Sequence, residues 1–257
     1  MGAGPESLSG GQLLGRKIAR GRAMFVPLHD ENVLKSIRFQ YVTIGLIVAN
    51  LVVFLFEALG LQEAVIASFA IIPTELVSPA GMLELGDVPD QTVAVPERLT
   101  LISYMFFHGD ILHLAGNMLF LWVFGDNVED AMGHLKFLIF YLACGIFAGL
   151  AHAYMMPDSP NPLIGASGAV AGVIAAYLML HPRVRVWVLA FQFIPLRLSA
   201  AVVLGVWVVT QFVMILLPEI GPVAWWAHIG GLLAGAVLII VMKRPDVPLF
   251  DRGLTTV

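Results

Sequence analysis

The sequence predicts an all-α membrane protein, a bundle of six transmembrane helices with its N- and C-termini on the cytoplasmic side. Three observations predict it. The 257 residues are 59% hydrophobic and 12% charged, against roughly 45–50% and about 25% in soluble domains, and mean hydropathy is +0.88. Six apolar runs approach or reach the length that crosses a bilayer. With six crossings and an inside N-terminus, Arg16, Lys17, Arg20, Arg22, Lys35, Arg38, Lys136, Arg183, Arg185, Arg197, Lys243, Arg244 and Arg252 fall on the cytoplasmic side, and only Arg98 outside. That is the asymmetry expected of positively charged inner loops.

Residues 1–36 are Gly-rich and weakly basic, without the continuous apolar core of a secretory signal. They read as a short cytoplasmic tail, and with it a bacterial plasma membrane is the expected location. The spans follow at residues 37–59, 107–124, 137–155, 166–180, 198–217 and 225–242, within a membrane domain of residues 37–242, and residues 243–257 form a C-terminal cytoplasmic tail. The second and fourth runs are short, and the fourth ends at "HPRVR", where Pro182 stops a helix. Short helices imply that part of the membrane depth is lined by protein and water. Two further apolar patches, "AVIASFAIIP" and "VWVLAFQFIP", fail the length test and read as interfacial or re-entrant pieces. The outer loop between the first two spans carries Glu63, Glu75, Glu84, Asp87, Asp90 and Glu97, and a loop that long has a structure or a job.

Several function classes fall away. Net charge is −4 with no long basic run, so no nucleic-acid partner is expected. Cys144 is the only cysteine and reads as a small buried hydrophobe. There is no H-E-x-x-H and no acidic residue at matching depth in the second, fourth or sixth span, so neither a metal nor a cofactor is expected. A transporter is disfavoured because no pair of interrupted helices and no midplane carboxylate is present.

Polar groups inside membrane spans are costly, and those retained are candidates for function. Ser167 begins the fourth span, His113 and Asn117 sit in the first turns of the second, and His228 in the first turns of the sixth. All three spans enter from the outer side, so the four groups share one level. His113 and Asn117, four apart, lie on one helix face. Gly168, Gly172 and Ala176 on the fourth span, and His228, Gly231 and Gly235 on the sixth, form stripes along which helices pack closely. If the stripes meet, His228 reaches the Ser167 hydroxyl as a base. The unpaired N–H groups at the start of the fourth helix, with His113 and Asn117, then offer an oxyanion hole. Taken singly, the glycines read as packing and each histidine as an interhelical hydrogen bonder; their coincidence at one level points to a serine hydrolase. His29, His134, His152 and His181 read as structural or solvated.

"HGDILHLAGN", "GASG" and "AHIGG", in this order on the second, fourth and sixth spans, resemble the rhomboid intramembrane serine proteases. The resemblance runs over residues 25–242 and takes in "VPLHDEN" and "FGDNVEDAMGHLKFLIFYLACG". It implies Ser167 as nucleophile and His228 as general base and acid, a dyad without a third carboxylate. It further implies an oxyanion hole of His113, Asn117 and the Ser167 N–H, with His108 supporting as the first histidine of an H-x4-H-x3-N pattern. Gly165 matches the glycine ahead of the nucleophile, and Gly231 the small residue that meets the fourth helix beside Gly168. The partners implied are transmembrane protein substrates, cleaved near the outer leaflet of the lipid bilayer. The rival expectation is a non-catalytic scaffold that holds client helices. Two departures stand out. Arg98 comes two residues too early for the family's Trp-Arg pair in the first outer loop, and the tyrosine that stacks on the histidine in many members is replaced by Ala171. The sequence therefore leaves the orientation of His228 without an assigned partner.

Overall fold

The first membrane helix, α1 (Tyr41–Ala58), has no side chain of its own capping its N-terminus. Its free amides are taken instead by a distant carboxylate: Val42 N and Thr43 N donate to Glu129 at 3.0 and 2.8 Å, and Thr43 Oγ1 donates at 2.7 Å. Asp130 accepts from the amides of Lys35, Ser36 and Ile37 at 3.0, 2.7 and 2.7 Å. A negative charge at a helix N-terminus satisfies orphan donors and complements the helix dipole. These contacts occur in a computed structural model that describes residues 25–60, 68–78, 95–191, 193–217 and 223–251. Glu63, Glu84, Asp87 and Asp90, the start of "AVIASFAIIP" and both chain ends lie outside the described residues.

Glu129 and Asp130 belong to α4 (Ile111–Met132), which follows two short helices, α2 (Pro73–Val77) and α3 (Glu97–Ser103). Asp110 caps α4, accepting from Leu112 N and His113 N at 2.8 and 2.9 Å. Gly133, at φ +85, turns the chain directly into α5 (His134–Met155), a conformation that side-chain-bearing residues rarely adopt. Then come α6 (Ser167–Leu180), α7 (Ala200–Met214) and α8 (Trp225–Met242). Helices α1, α4, α5 and α8 are long and apolar enough to cross a membrane, while α6 and α7 are shorter apolar helices. The chain is a mostly helical membrane protein.

At 14 residues α6 rises only about 21 Å, short of the roughly 30 Å hydrocarbon core. It has no lipid-facing stripe because it is enclosed: every residue from Gly168 to Tyr177 is buried. Glycines allow the enclosure. A Cβ on Gly231 of α8 would lie 1.9 Å from the Gly168 carbonyl oxygen, one on Gly235 2.3 Å from that of Gly172, and one on Gly172 2.5 Å from Cys144 Sγ on α5. Cys144 is buried and unpaired, as a small hydrophobe at a close crossing.

The stretch "VWVLAFQFIP" is not a re-entrant piece. It forms strands β2 (Arg185–Ala190) and β3 (Ile194–Ser199), and β2 also pairs antiparallel with β1 (Phe25–Asp30), so the fold is not purely α. The signal is the alternation in Arg185–Ala190, with Val186, Val188 and Ala190 buried and Trp187 exposed, a period of two that a helix does not have. Within the predicted N-terminal tail, Phe25–Asp30 thus belongs to this sheet. Asp30 fastens it to the bundle by accepting from Asn127 Nδ2 at 3.2 Å and from the Tyr177 hydroxyl. Arg197 on β3 donates to Glu31 through Nε at 2.6 Å and also through Nη2, and these bonds hold the Glu31 carboxyl below its usual range.

At the opposite end, the segments between α1 and α4 brace the approach to α6. Ile71 and Leu163 exchange backbone hydrogen bonds at 3.1 and 2.8 Å, Gly165 N donates to Tyr104 O at 2.9 Å, and the Tyr104 hydroxyl donates to Gly145 O at 2.7 Å. Burial, together with the neighbouring Glu75, pushes the Glu97 carboxyl up to about 7. A carboxyl raised in the folded state stabilises the fold below its ordinary pKa of 4.5, and that contribution is lost as pH rises through about 7. Thermal unfolding in detergent is therefore expected to show a melting temperature that falls between pH 5 and pH 8, and a weaker fall in Glu97→Gln. Identical profiles for the two proteins would contradict this.

Candidate active site

The mouth of α6 is built by a strained residue followed by a helix start. Gly165 sits at φ +119, and a Cβ there would lie 2.6 Å from His113 Cε1. Glycine is required both by the backbone and by the ring against it. Ser167 is the first residue of α6, and its N-cap, Ala166, offers no side-chain acceptor. The first amides of the helix thus face the site without intrahelical partners.

The stripes on α6 and α8 meet, and they bring two of the four candidate groups into contact. Ser167 Oγ lies 2.8 Å from His228 Nε2. His228 is buried, 8% exposed. The other two groups line the same mouth. Asn117 Nδ2 is 3.0 Å from His108 Nε2, and Ala166 N donates to that nitrogen at 3.5 Å. The rings of His108 and His113 meet edge to face with centroids 5.1 Å apart. His108, to which the resemblance gives a supporting part, is therefore the residue joining Asn117 to the backbone just ahead of Ser167. Its own amide is held by the Glu57 carboxylate of α1, at 3.3 and 3.4 Å.

Three residues around His228 were not singled out from the sequence, and two of them are on α7. Gln211 Oε1 lies 2.7 Å from His228 Nδ1, and the indole of Trp207 packs at 5.7 Å from the imidazole, tilted 38°. Trp225 closes the other side, edge on at 6.0 Å. Ala171 is fully buried on the face of α6 against Gly231, and the aromatics next to His228 come from α7 and α8 instead. The available signal for Gln211 is an amide within an otherwise apolar run. Among the described residues no group of three or more His, Cys, Asp or Glu side chains could hold a metal. What the arrangement can do chemically is transfer a proton between a hydroxyl and an imidazole beside unpaired backbone donors.

Comparison with known families matches the Rhomboid domain over residues 96–245, more than half of the chain. The chain belongs to the rhomboid family. Among curated relatives of this rhomboid, it is 27% identical over 220 residues to "RHOMBOID-like protein 12, mitochondrial" of Arabidopsis thaliana, covering 79% of this chain and 59% of the relative. It is 37% identical over 97 residues to "Rhomboid protease GluP" of Bacillus subtilis, covering 38% and 18%. It is 28% identical over 155 residues to the human "Presenilin-associated rhomboid-like protein, mitochondrial", covering 59% and 35%. The rhomboid chain thus spans little more than half the length of these relatives at most. The family and the apolar helices support a membrane protein, while relatives named mitochondrial stand beside a bacterial one and leave the expected bacterial plasma membrane unsupported.

Proposed function

We propose that the chain is an intramembrane serine endopeptidase that cleaves transmembrane segments of membrane proteins near the outer leaflet. The observation that carries this reading is the 2.8 Å contact between Ser167 Oγ and His228 Nε2. It lies at the start of a helix whose first amides are free to bind an oxyanion. In the proposed reaction Ser167 Oγ attacks the scissile carbonyl while His228 Nε2 takes its proton. The tetrahedral oxyanion is held by the Ser167 amide, His113 and Asn117. His228 returns the proton to the leaving amine as the peptide bond breaks, and water then hydrolyses the acyl-enzyme by the same proton path.

The same reading takes all six helices α1, α4, α5, α6, α7 and α8 as crossing the membrane, with both termini cytoplasmic. Support comes from contacts between segments that this topology assigns to one side: β1 with β2, and Arg244 N with Ala131 O at 2.8 Å. A substrate helix must unwind before its carbonyl can reach Ser167, because helical carbonyls are hydrogen-bonded along the backbone. Substrates are accordingly expected to carry helix-weakening residues near the cleavage site.

A fluorophosphonate probe tests the nucleophile directly. The purified protein in detergent is expected to gain one covalent adduct, mapped by mass spectrometry to the peptide holding Ser167, and Ser167→Ala to gain none. Labelling that survives in Ser167→Ala, or no labelling of either protein alongside no peptide cleavage, would favour the scaffold reading.

A further inference from the structure

The contacts of His228 on its far side determine which of its nitrogens carries a proton. Gln211 Nε2 donates to the carbonyl of Trp207, four residues earlier on α7, at 2.8 Å. That bond commits the amide nitrogen as a donor to its own helix and turns Oε1, an acceptor only, toward His228 Nδ1 at 2.7 Å. Nδ1 must then bear the hydrogen, and Nε2 presents its lone pair to Ser167 Oγ. Gln211 is 2% exposed, so water does not readily stand in for it, and the Trp207 ring beside the imidazole restricts rotation of the histidine away from it.

We propose that Gln211 is a positioning residue that sets the tautomer of His228, using an uncharged side chain where a serine–histidine site often uses a carboxylate. The proposal rests on His228 acting as the base for Ser167. It makes the competence of the base depend on how α7 is seated, because the bond that orients the amide lies within α7 and the bond that orients the imidazole leaves from it.

The test combines kinetics with 15N NMR of histidine-labelled protein in detergent, the His228 signals being assigned by their loss in His228→Ala. Wild type is expected to show the Nδ1–H tautomer. Gln211→Leu removes the acceptor, and His228 is expected to shift toward the Nε2–H tautomer. On a fluorogenic transmembrane peptide, kcat is expected to fall about 10²-fold or more with KM unchanged, since a wrongly protonated base costs up to about 10⁴-fold. Gln211→Glu, which keeps an acceptor at the same reach, is expected to retain the Nδ1–H tautomer and recover most of kcat. An unchanged tautomer in Gln211→Leu overturns the proposal, as does a loss shared equally by Gln211→Leu and Gln211→Glu with the tautomer intact. If wild type cleaves nothing and Ser167 takes no label, the base reading fails, and the NMR result still reports whether Gln211 holds the ring. Should Gln211→Leu not fold, the same spectra are taken on Gln211→Asn, whose shorter side chain withdraws the acceptor and is expected to move the tautomer in the same direction.

Discussion

His228→Ala is expected to lower kcat/KM on a transmembrane peptide by at least about 10³-fold, and Ser167→Ala by at least as much with residual cleavage still measurable, while both proteins keep wild-type melting temperatures to within a few degrees. General-base catalysis by a positioned side chain contributes typically about 10²- to 10⁴-fold, and at 2.8 Å from the hydroxyl His228 is within reach of the proton it would take. In barrier terms about 10³-fold is about 4 kcal/mol, more than any surface side chain would be expected to supply. The decisive measurement is the double variant. Two groups that act as one unit lose their effect together, so Ser167→Ala/His228→Ala is expected to be no slower than Ser167→Ala alone. Multiplying losses would show two independent contributions and refute a dyad.

Gly231→Ala is the second large effect. The added Cβ would sit 1.9 Å from the Gly168 carbonyl oxygen and 3.3 Å from Ala171 Cβ, and the first of these neighbours is backbone that cannot swing aside. Helix α8 must move away from α6 by about 1 Å or more to reach ordinary contact. Overpacking of this kind costs about 1–3 kcal/mol. Because His228 is on α8 and Ser167 on α6, the same displacement separates the reacting pair, and a misplacement of about 1 Å costs about 10²-fold in rate. Gly231→Ala is therefore expected to melt several degrees lower and to lose about 10²-fold in kcat. Gly205→Ala, on α7 with nothing within 4 Å of the added Cβ, is the control and is expected to leave both unchanged. Equal behaviour of the two variants in thermal melts and cleavage assays would show that the α6–α8 approach does not govern the site.

The elements most legible in the sequence are those written in local pattern. The apolar runs announce four long helices and two shorter apolar ones, because a helix in lipid satisfies its own backbone and needs only an apolar surface. The small-residue stripes at Gly168 and Gly231 announce a contact face because two backbones approach closely only where side chains are absent. The three-stranded sheet was equally local, in the alternation of Arg185–Ala190, yet its apolar content and its position between two spans resemble a membrane segment. The pairing of β2 with β1, more than 150 residues earlier in the chain, has no local trace.

What this sequence determines by itself is a membrane-embedded helical chain that carries Ser167, His113, Asn117 and His228 in apolar segments, and a means for two helices to approach. Apolar content and small-residue spacing are properties of single helices, and they survive any arrangement of the others. Only the tertiary structure decided what lies behind His228. Gln211 and Trp207 are four apart on one helix, and nothing in their spacing says which neighbour that face meets, since this depends on how α7 is rotated about its axis and against which helix it lies. The same is true of Glu129, whose carboxylate serves the start of α1 some 86 residues away. Such contacts form where elements meet, so they become visible only once the helices have been assembled.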